Sequence, residues 1–306
     1  SRRFSWSTAG AEGRVPELAV IIVNRNGRDF LPRCLRSLRE CGWGRDWEII
    51  VADNASDDGS AELVADSFPE VKLLPTGGNL GFAKANNMAL GETRSPFILF
   101  LNPDTVVFEG AIDRLQEVLR RNPETGACGP LLILGDHRYQ VSFGGKVSFF
   151  RELFQKAVLN PFYKKRLDTL RRPRAVGWVS GACLMTRREA VDQAGGFDED
   201  FFLYFEDIDL CRRMALRGWR ILFVPAVGVF HEGGAATRRF APSRYEYRKS
   251  QLLFYRKHNG PAAQRLLRAY LRMNFFFLGL RARRKGEGPE PWASFQSLLD
   301  KPEAKS

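Results

Sequence analysis

At 306 residues, with 44% hydrophobic and 27% charged side chains, the chain can bury a full core as one large domain or one domain with an appendage. Its formal charge of +12 is concentrated between residues 244 and 285, where Arg and Lys are interrupted by one acid, Glu246. A local basic patch is therefore expected rather than a uniformly basic protein. No apolar run approaches the ~20 residues of a membrane-spanning helix. The five cysteines are scattered and form no CxxC pair, which argues against a zinc site or disulfide framework and for the buried, reduced thiols of a cytosolic protein.

Residues 1–14 are polar, lack the apolar stretch of a secretory signal, and read as a disordered tail. Short apolar runs then alternate with amphipathic stretches, the pattern of βαβ units in an α/β fold. Strands are expected at 18–24, 48–53, 71–75 and 97–101. The runs AVIIV, EIIVA and FILFL are nearly continuous, as in parallel strands buried on both faces. Helices are expected over 29–41, 60–68 and 82–92, with turn chemistry at Asn26-Gly27, Asp58-Gly59, Gly77-Gly78 and Asn102-Pro103-Asp104. A helix over 111–121 and a strand near 127–134 follow. Residues 144–174, basic and aromatic with Pro161 and Pro173, read as a partly mobile excursion. Regular structure returns at 176–186, then in a helix over 187–194. A further helix is expected from about 206 to 217, with Gly218 as its C′ residue, then strands at 220–224 and 227–231. Beyond Pro242 the chain reads as helical and basic. The expected division is a tail (1–14), an α/β domain (15–240) and a helical, basic extension (241–306).

In open parallel α/β sheets, ligands sit at the carboxyl ends of the strands, where Asn24, Asp53, Asn54, Asn102 and Asp104 collect. Asp53 is placed to accept a base N–H or a ribose hydroxyl, whereas Asp57 and Ser60 read as turn and capping residues. Asn102-Pro103-Asp104 is either a plain turn or a place where Asp104 puts an oxygen on Mg²⁺ or Mn²⁺. Five apolar residues, 201–205, run directly into the acids Glu206, Asp207 and Asp209. Acids in a first helical turn complement the macrodipole, but a carboxylate flanked by bulky apolar groups also suits a general base. His231 ends an apolar strand and becomes a metal ligand only if the fold brings it near Asp104. The stretch GGNLG does not have the G-x-G-x-x-G spacing of a dinucleotide fingerprint.

Taken in order, the segments AVIIVNRNG, VADNASDDGS, GGNLGFAKANN, FLNPDT, WVSGACLM, GGFDEDFFLYFEDIDLCRR and VFHEGG resemble glycosyltransferase family 2. The match runs over residues 18–239. NPDT together with FEDIDLCRR is most similar to the bacterial rhamnosyltransferase-type branch that builds O-antigen and cell-wall polysaccharides. The resemblance implies a GT-A fold, a Rossmann-like, mostly parallel sheet flanked by helices. It implies an inverting, metal-dependent transfer of a sugar such as L-rhamnose from a dTDP- or UDP-linked donor to a glycan or a polyprenyl-diphosphate-linked acceptor. At matching positions it implies Asp207 as catalytic base with Glu206 beside it. Asn24, Asp53, Asn79, Gly81, Asn86 and Asn102 would line the donor; Trp178, Ser180 and Gly181 would border donor sugar and acceptor. Asp104 and His231 would hold Mg²⁺ or Mn²⁺. Asn102 stands where the family's DxD metal motif usually has its first acid, leaving the ion one carboxylate fewer.

Residues 265–284 set Leu266, Leu267, Tyr270, Leu271, Phe277 and Leu278 between arginines at amphipathic spacing. Such a helix lies on an anionic membrane surface, suiting a lipid-linked acceptor and a location at the inner face of the cell membrane; packing on the domain or a dimer contact is the other reading. No nucleic-acid partner is expected, because no zinc knuckle, RNA-binding signature or recognition helix accompanies the charge. Two other functions compete. A nucleotidyltransferase typically shows a Gly-rich, Lys/Arg-containing loop after its first strand, where this chain has only Asn24-Arg25-Asn26-Gly27. A non-catalytic nucleotide-sugar or lipid-surface binding module would also use the basic segment.

Overall fold

The computed structural model describes residues 14–42, 46–135, 138–154, 167–232, 243–284 and 298–299. The tail expected over 1–14 lies outside these residues except for Arg14, and so does the 155–166 portion of the expected mobile excursion. In chain order the elements run β1 (Leu18–Asn24), α1 (Leu31–Glu40), β2 (Trp47–Asp53), α2 (Ser60–Ser67), β3 (Lys72–Pro75) and α3 (Phe82–Gly91). Next come β4 (Phe97–Leu101), β5 (Thr105–Val107), α4 (Ala111–Arg121), β6 (Thr125–Ile133), β7 (Tyr139–Gln140), β8 (Phe143–Gly144) and α5 (Phe149–Phe154). The chain continues with β9 (Arg174–Val176), β10 (Trp178–Val179), β11 (Cys183–Arg187), α6 (Arg188–Ala194), α7 (Glu206–Leu216), β12 (Arg220–His231), α8 (Ser243–His258) and α9 (Pro261–Arg284).

The main sheet has the order β3-β2-β1-β4-β11-β6-β12-β5, with β7 added to β6 and β9 to β12. Strands β1 to β4 are mutually parallel. The reversed β11 pairs antiparallel to both β4 and β6, which returns β6 and its parallel neighbour β12 to the direction of β1. The result is the expected α/β architecture, a mostly parallel mixed sheet flanked by helices. Every residue of β1 and β4 is buried, the physical reason their apolar runs do not alternate. One face packs under α1 and α4, where Leu31, Leu35 and Leu38 fall at helical spacing and are fully buried. The opposite face packs under α3 and α7. The five cysteines are buried and unpaired, and burial pushes the Cys34 and Cys211 thiols up to about 12.

One expectation needs correction and two are filled in by the structure. The regular structure expected at 176–186 is divided among β9, β10 and β11. The chain breaks at Gly177, where an added Cβ would stand 2.5 Å from the carbonyl carbon of Gly145, and β10 leaves the main sheet to pair with β8. The strands at 220–224 and 227–231 are one strand, irregular between Val224 and Gly228, where Pro225 lacks the N–H that a regular ladder needs. Among the described residues of 144–174, α5 and a 3-10 turn at Leu167–Thr169 are regular elements.

Residues 243–284 are helical, as expected, and the remainder of the expected extension lies outside the described residues except for 298–299. Helices α8 and α9 pack onto the segment preceding α7 through an aromatic cluster that includes Phe201, Phe205, Phe254, Tyr255 and Phe275. Leu267 and Leu271, expected on the membrane-facing side of α9, are buried in that cluster; the inner side of the helix is packed on the protein. No helix among the described residues is long and apolar enough to cross a membrane.

Candidate active site

The parallel register sets Asn24 opposite Asp53 at the carboxyl ends of β1 and β2. Asn24 Nδ2 donates to Asp53 Oδ1 (3.2 Å) and to Ser60 Oγ (2.9 Å), and the Ser56 N–H donates to Asp53 Oδ2 (3.1 Å). Beside them, Asn54 Nδ2 donates to Asn79 Oδ1 (3.0 Å) while Asn54 Oδ1 accepts from the Leu80 N–H (2.8 Å). Asn79 Oδ1 also accepts from the Gly81 N–H (3.3 Å). Asn24, Asp53, Asn79 and Gly81 thus share one network over the strand tips. Asn86 lies one turn into α3, fully buried, donating to the Phe82 carbonyl (2.9 Å) with its own Oδ1 unpartnered. The α2 start is held by Asp58, whose Oδ1 accepts from the Ser60 N–H (3.0 Å); Asp57 instead accepts from Asn26 Nδ2 (2.8 Å).

The motifs around α3 and before α7 hold each other. Asn87 Nδ2 donates to the Phe197 carbonyl and Asn87 Oδ1 accepts from the Phe197 N–H, both at 2.8 Å. Gly81, at φ +83°, comes so close to this loop that a Cβ would meet the Phe202 carbonyl oxygen at 2.5 Å. The Phe82 N–H donates to that same carbonyl (2.8 Å). Downstream, Tyr204 (φ 70°) and Phe205 (φ 68°) both adopt the left-handed conformation, which costs roughly 1–2 kcal/mol per non-glycine residue. Strain of this kind persists where the surroundings over-determine it; here it aims the first turn of α7.

The three acids of that turn have separate partners. Asp209 is fully buried, pairing with Arg213 Nε (2.6 Å) and His258 Nε2 (2.6 Å), so it ties α7 to α8. Asp207 accepts from the Gly181 N–H through Oδ2 and from the Ile208 N–H through Oδ1, each at 2.7 Å. Burial raises the Asp207 carboxyl above its ordinary range, while these N–H donors pull it back. Glu206 is raised well above the usual range, first by burial and then by the neighbouring Asp207 charge. Its Oε2 has no hydrogen-bond partner.

The antiparallel register of β11 on β4 sets Cys183 beside Leu101, so the residues before β11 meet those after β4. The Asn102 N–H donates to the Ala182 carbonyl (3.0 Å), one residue from the Gly181 N–H that binds Asp207. At the other end, β12 pairs with β5 so that His231 faces Thr105, and His231 Nε2 lies 3.3 Å from Asp104 Oδ1, both side chains buried. The Asn102 amide nitrogen stands 3.4 Å from the same Nε2. Gln140 Oε1, 2.7 Å from His231 Nδ1, can only accept, so Nδ1 is the nitrogen that donates to it and Nε2 is the one that faces Asp104. A ring nitrogen and a carboxylate oxygen at this separation suit neighbouring ligands of one small cation, which at bond lengths of about 2.1 Å would lie about 3 Å apart. Among the described residues no group of three or more His, Cys, Asp or Glu gathers as a cage. A magnesium-like ion, which commonly uses one or two carboxylates with substrate phosphates and water, fits such a sparse pair.

A cleft of about 280 Å³ opens beside these groups, lined among others by Gln140, Trp178, Tyr204, Glu206, Asp207 and Tyr247. Gln140 therefore touches both the His231 pair and the Asp207 cleft. The indole Nε1 of Trp178 is buried without a partner. Gln140, Tyr204 and Tyr247 were not singled out by sequence reasoning. Tyr204 stood inside a quoted motif, but Gln140 sits on a two-residue strand and Tyr247 on a helix outside the motifs, so neither carried a periodic signal.

Comparison with known proteins agrees with this geometry. The solved structure of a mannosyltransferase from Pyrobaculum calidifontis in complex with GDP-Man and Mn²⁺ superposes with a TM-score of 0.56 at 18% identity, covering 97% of this chain and 88% of that one. GalNAc-T7 with UDP, GalNAc and Mn²⁺ gives 0.57 at 17% identity, over 72% of this chain and 44% of the other. The fold is thus that of the GT-A glycosyltransferases. The Glycosyl transferase family 2 model matches residues 19–195. The N-acetylglucosaminyl-diphospho-decaprenol L-rhamnosyltransferase of Mycobacterium tuberculosis is 35% identical over 266 residues, 79% of this chain and 85% of that protein. Rhamnosyltransferase WbbL of Escherichia coli K12 is 26% identical over 240 residues, 74% and 88% respectively. The chain belongs to glycosyltransferase family 2, in its rhamnosyltransferase-like branch, and is a glycosyltransferase.

Proposed function

We propose that this enzyme transfers L-rhamnose, with inversion, from a dTDP-linked donor to a polyprenyl-diphosphate-linked sugar, using residues 15–240 as the catalytic domain and 241–306 as a membrane-associating extension. Support for the transferred rhamnose comes from the mycobacterial and E. coli relatives, and for the polyprenyl-diphosphate-linked acceptor from the mycobacterial one. The observation that carries the mechanism is the pair of hydrogen bonds, Gly181 N–H to Asp207 and Asn102 N–H to the Ala182 carbonyl, by which one short backbone segment joins Asp207 to Asn102, beside the Asp104–His231 pair.

In this reading Asp53 and Asn24 receive the nucleoside at the strand tips, with Asn79 and Gly81 following the ribose and diphosphate, and Asn86 supporting that wall from within α3. Asp104 and His231, with the Asn102 amide beside them, would hold Mg²⁺ or Mn²⁺, and Gln140 fixes the imidazole tautomer. When bound, the ion supplies positive charge against the departing diphosphate. Trp178 and Glu206 offer their unpartnered Nε1 and Oε2 to the sugars in the cleft. Asp207 takes the proton of the acceptor hydroxyl as that oxygen attacks the anomeric carbon. Burial and the Asp207 charge push the Glu206 carboxyl well above its ordinary range, which makes it a poorer nucleophile than an ionised carboxylate; a single displacement by the acceptor oxygen inverts the anomeric centre.

The reading is tested by incubating the enzyme with dTDP- and UDP-sugars, Mn²⁺ and N-acetylglucosaminyl-diphospho-polyprenol, then reading the product's anomeric configuration by NMR. Transfer from dTDP-rhamnose with inverted configuration is expected; retention, or donor turnover with no sugar transferred, would contradict it. The basic extension supports a peripheral position at the inner membrane face, because each surface Lys or Arg contributes about 1 kcal/mol of attraction to anionic lipid.

A further inference from the structure

Helix α9 is apolar on two opposite sides. At 3.6 residues per turn, Leu267, Leu271 and Phe275 share the inner side and are buried against the aromatic cluster. Leu266, Met273, Phe276, Phe277 and Leu280 fall on the other side, 41, 55, 59, 55 and 39% exposed. A helix that is apolar all round belongs in a core or in lipid; the inner side has its core, and the outer side has none among the described residues. Helix α5 lies beside α9. Its Phe149 ring meets Tyr270 of α9 edge-on at 6.1 Å, and Phe150 and Leu153 of the same helix are 70% and 47% exposed.

We propose that these two helices form an apolar wedge that inserts into the headgroup–acyl boundary of an anionic bilayer and fixes the catalytic cleft at the lipid surface. This deepens the membrane reading above and rests on it, replacing attraction to the surface alone with insertion. Charge selects the occupant. Exposed Arg265 and Arg281 border the outer apolar stripe, and α9 contains no Asp or Glu. A second copy docked through this face would set arginine against arginine with no acid on the helix to pair. Anionic headgroups neutralise those borders while the apolar stripe sinks about 5–10 Å into the interface.

The wedge is joined to the cleft. Glu152 of α5 lines the cleft and accepts from Gln251 Nε2 (2.7 Å) and Tyr255 Oη (2.9 Å) of α8. Helix α8 in turn reaches the loop before α7 through Ser250 Oγ, which donates to the Leu203 carbonyl (2.8 Å). Insertion of the wedge therefore sets where the mouth of the cleft stands relative to a diphosphate emerging from the membrane.

The test is sedimentation of the full chain with vesicles of phosphatidylcholine and phosphatidylglycerol, at low salt and at about 1 M salt, where the screening length falls to about 3 Å. The wild type is compared with Phe276→Ser/Phe277→Ser and with Phe150→Ser, all exposed positions that the fold does not need. Binding retained in high salt, weakened more than about tenfold by the double substitution and measurably by Phe150→Ser, is the expected result. Binding that vanishes in high salt and is equal in all three proteins overturns the wedge but leaves surface attraction standing. No binding under any condition overturns both. Self-association without vesicles that the double substitution abolishes assigns the face to a second copy and likewise overturns the proposal.

Discussion

The Gly181 main-chain N–H donates to Asp207 Oδ2 over 2.7 Å. A side chain at position 181 would bring its Cβ to 3.2 Å from the Asp207 Cβ, tighter than ordinary van der Waals contact. Glycine here permits the approach that orients the carboxylate.

Gly181→Ala should therefore shift Asp207 by a few tenths of an ångström and lower kcat roughly tenfold, since small misplacements of reacting groups carry large rate costs. Donor affinity, set at the strand tips, should change little. Steady-state kinetics with separate donor titration checks this; a pure KM effect for the donor would contradict it.

Glu206 holds its proton more tightly in the folded chain than in the unfolded one. Its stabilising contribution is thus fully present below the ordinary glutamate value of about 4.3 and is lost as pH rises through the raised folded value. Glu206→Gln removes that loss. Thermal unfolding of both proteins between mildly acidic and mildly alkaline pH should show the variant's Tm gaining on the wild type as pH increases. A constant gap would mean that Glu206 is not the group responsible.

The acid limb of kcat/KM should lie above the ordinary aspartate value of about 3.9, because burial raises Asp207 despite its two N–H donors. Activity requires the ionised form, so rate rises with pH through that limb. A pH–rate profile flat down to the ordinary carboxylate range would argue against this assignment.

Gln140→Leu removes the acceptor that fixes the His231 tautomer. Loss of such a supporting partner typically weakens metal affinity by about 10–100-fold. Mn²⁺ titration of donor binding by calorimetry should show that loss, with the protein's fold intact by circular dichroism. Unchanged Mn²⁺ dependence would dissociate Gln140 and His231 from the ion.

Much of this was legible before any coordinates. Strands β1 and β4 and helix α4 fall at their expected bounds, because a fully buried apolar run or a strong amphipathic period speaks for itself. Asp104 and His231 could be paired only conditionally from sequence, since their meeting depends on β5, three residues long, pairing with the end of β12. Gln140 was silent for a similar reason: a two-residue strand has no period to detect. The single bulged β12 looked like two strands because Pro225 interrupts its donors. Helix α9 misled in a different way, since two apolar sides blur into one weak period, and Leu267 and Leu271 belong to the packed side rather than the exposed one.

The most direct test of the central claim is a single-turnover measurement of sugar transfer by Asp207→Asn, alongside its donor affinity. The account predicts donor binding within a few-fold of wild type and a chemical step slowed roughly 10²–10⁴-fold, the usual worth of a positioned general base. A near-wild-type transfer rate in that variant would contradict it.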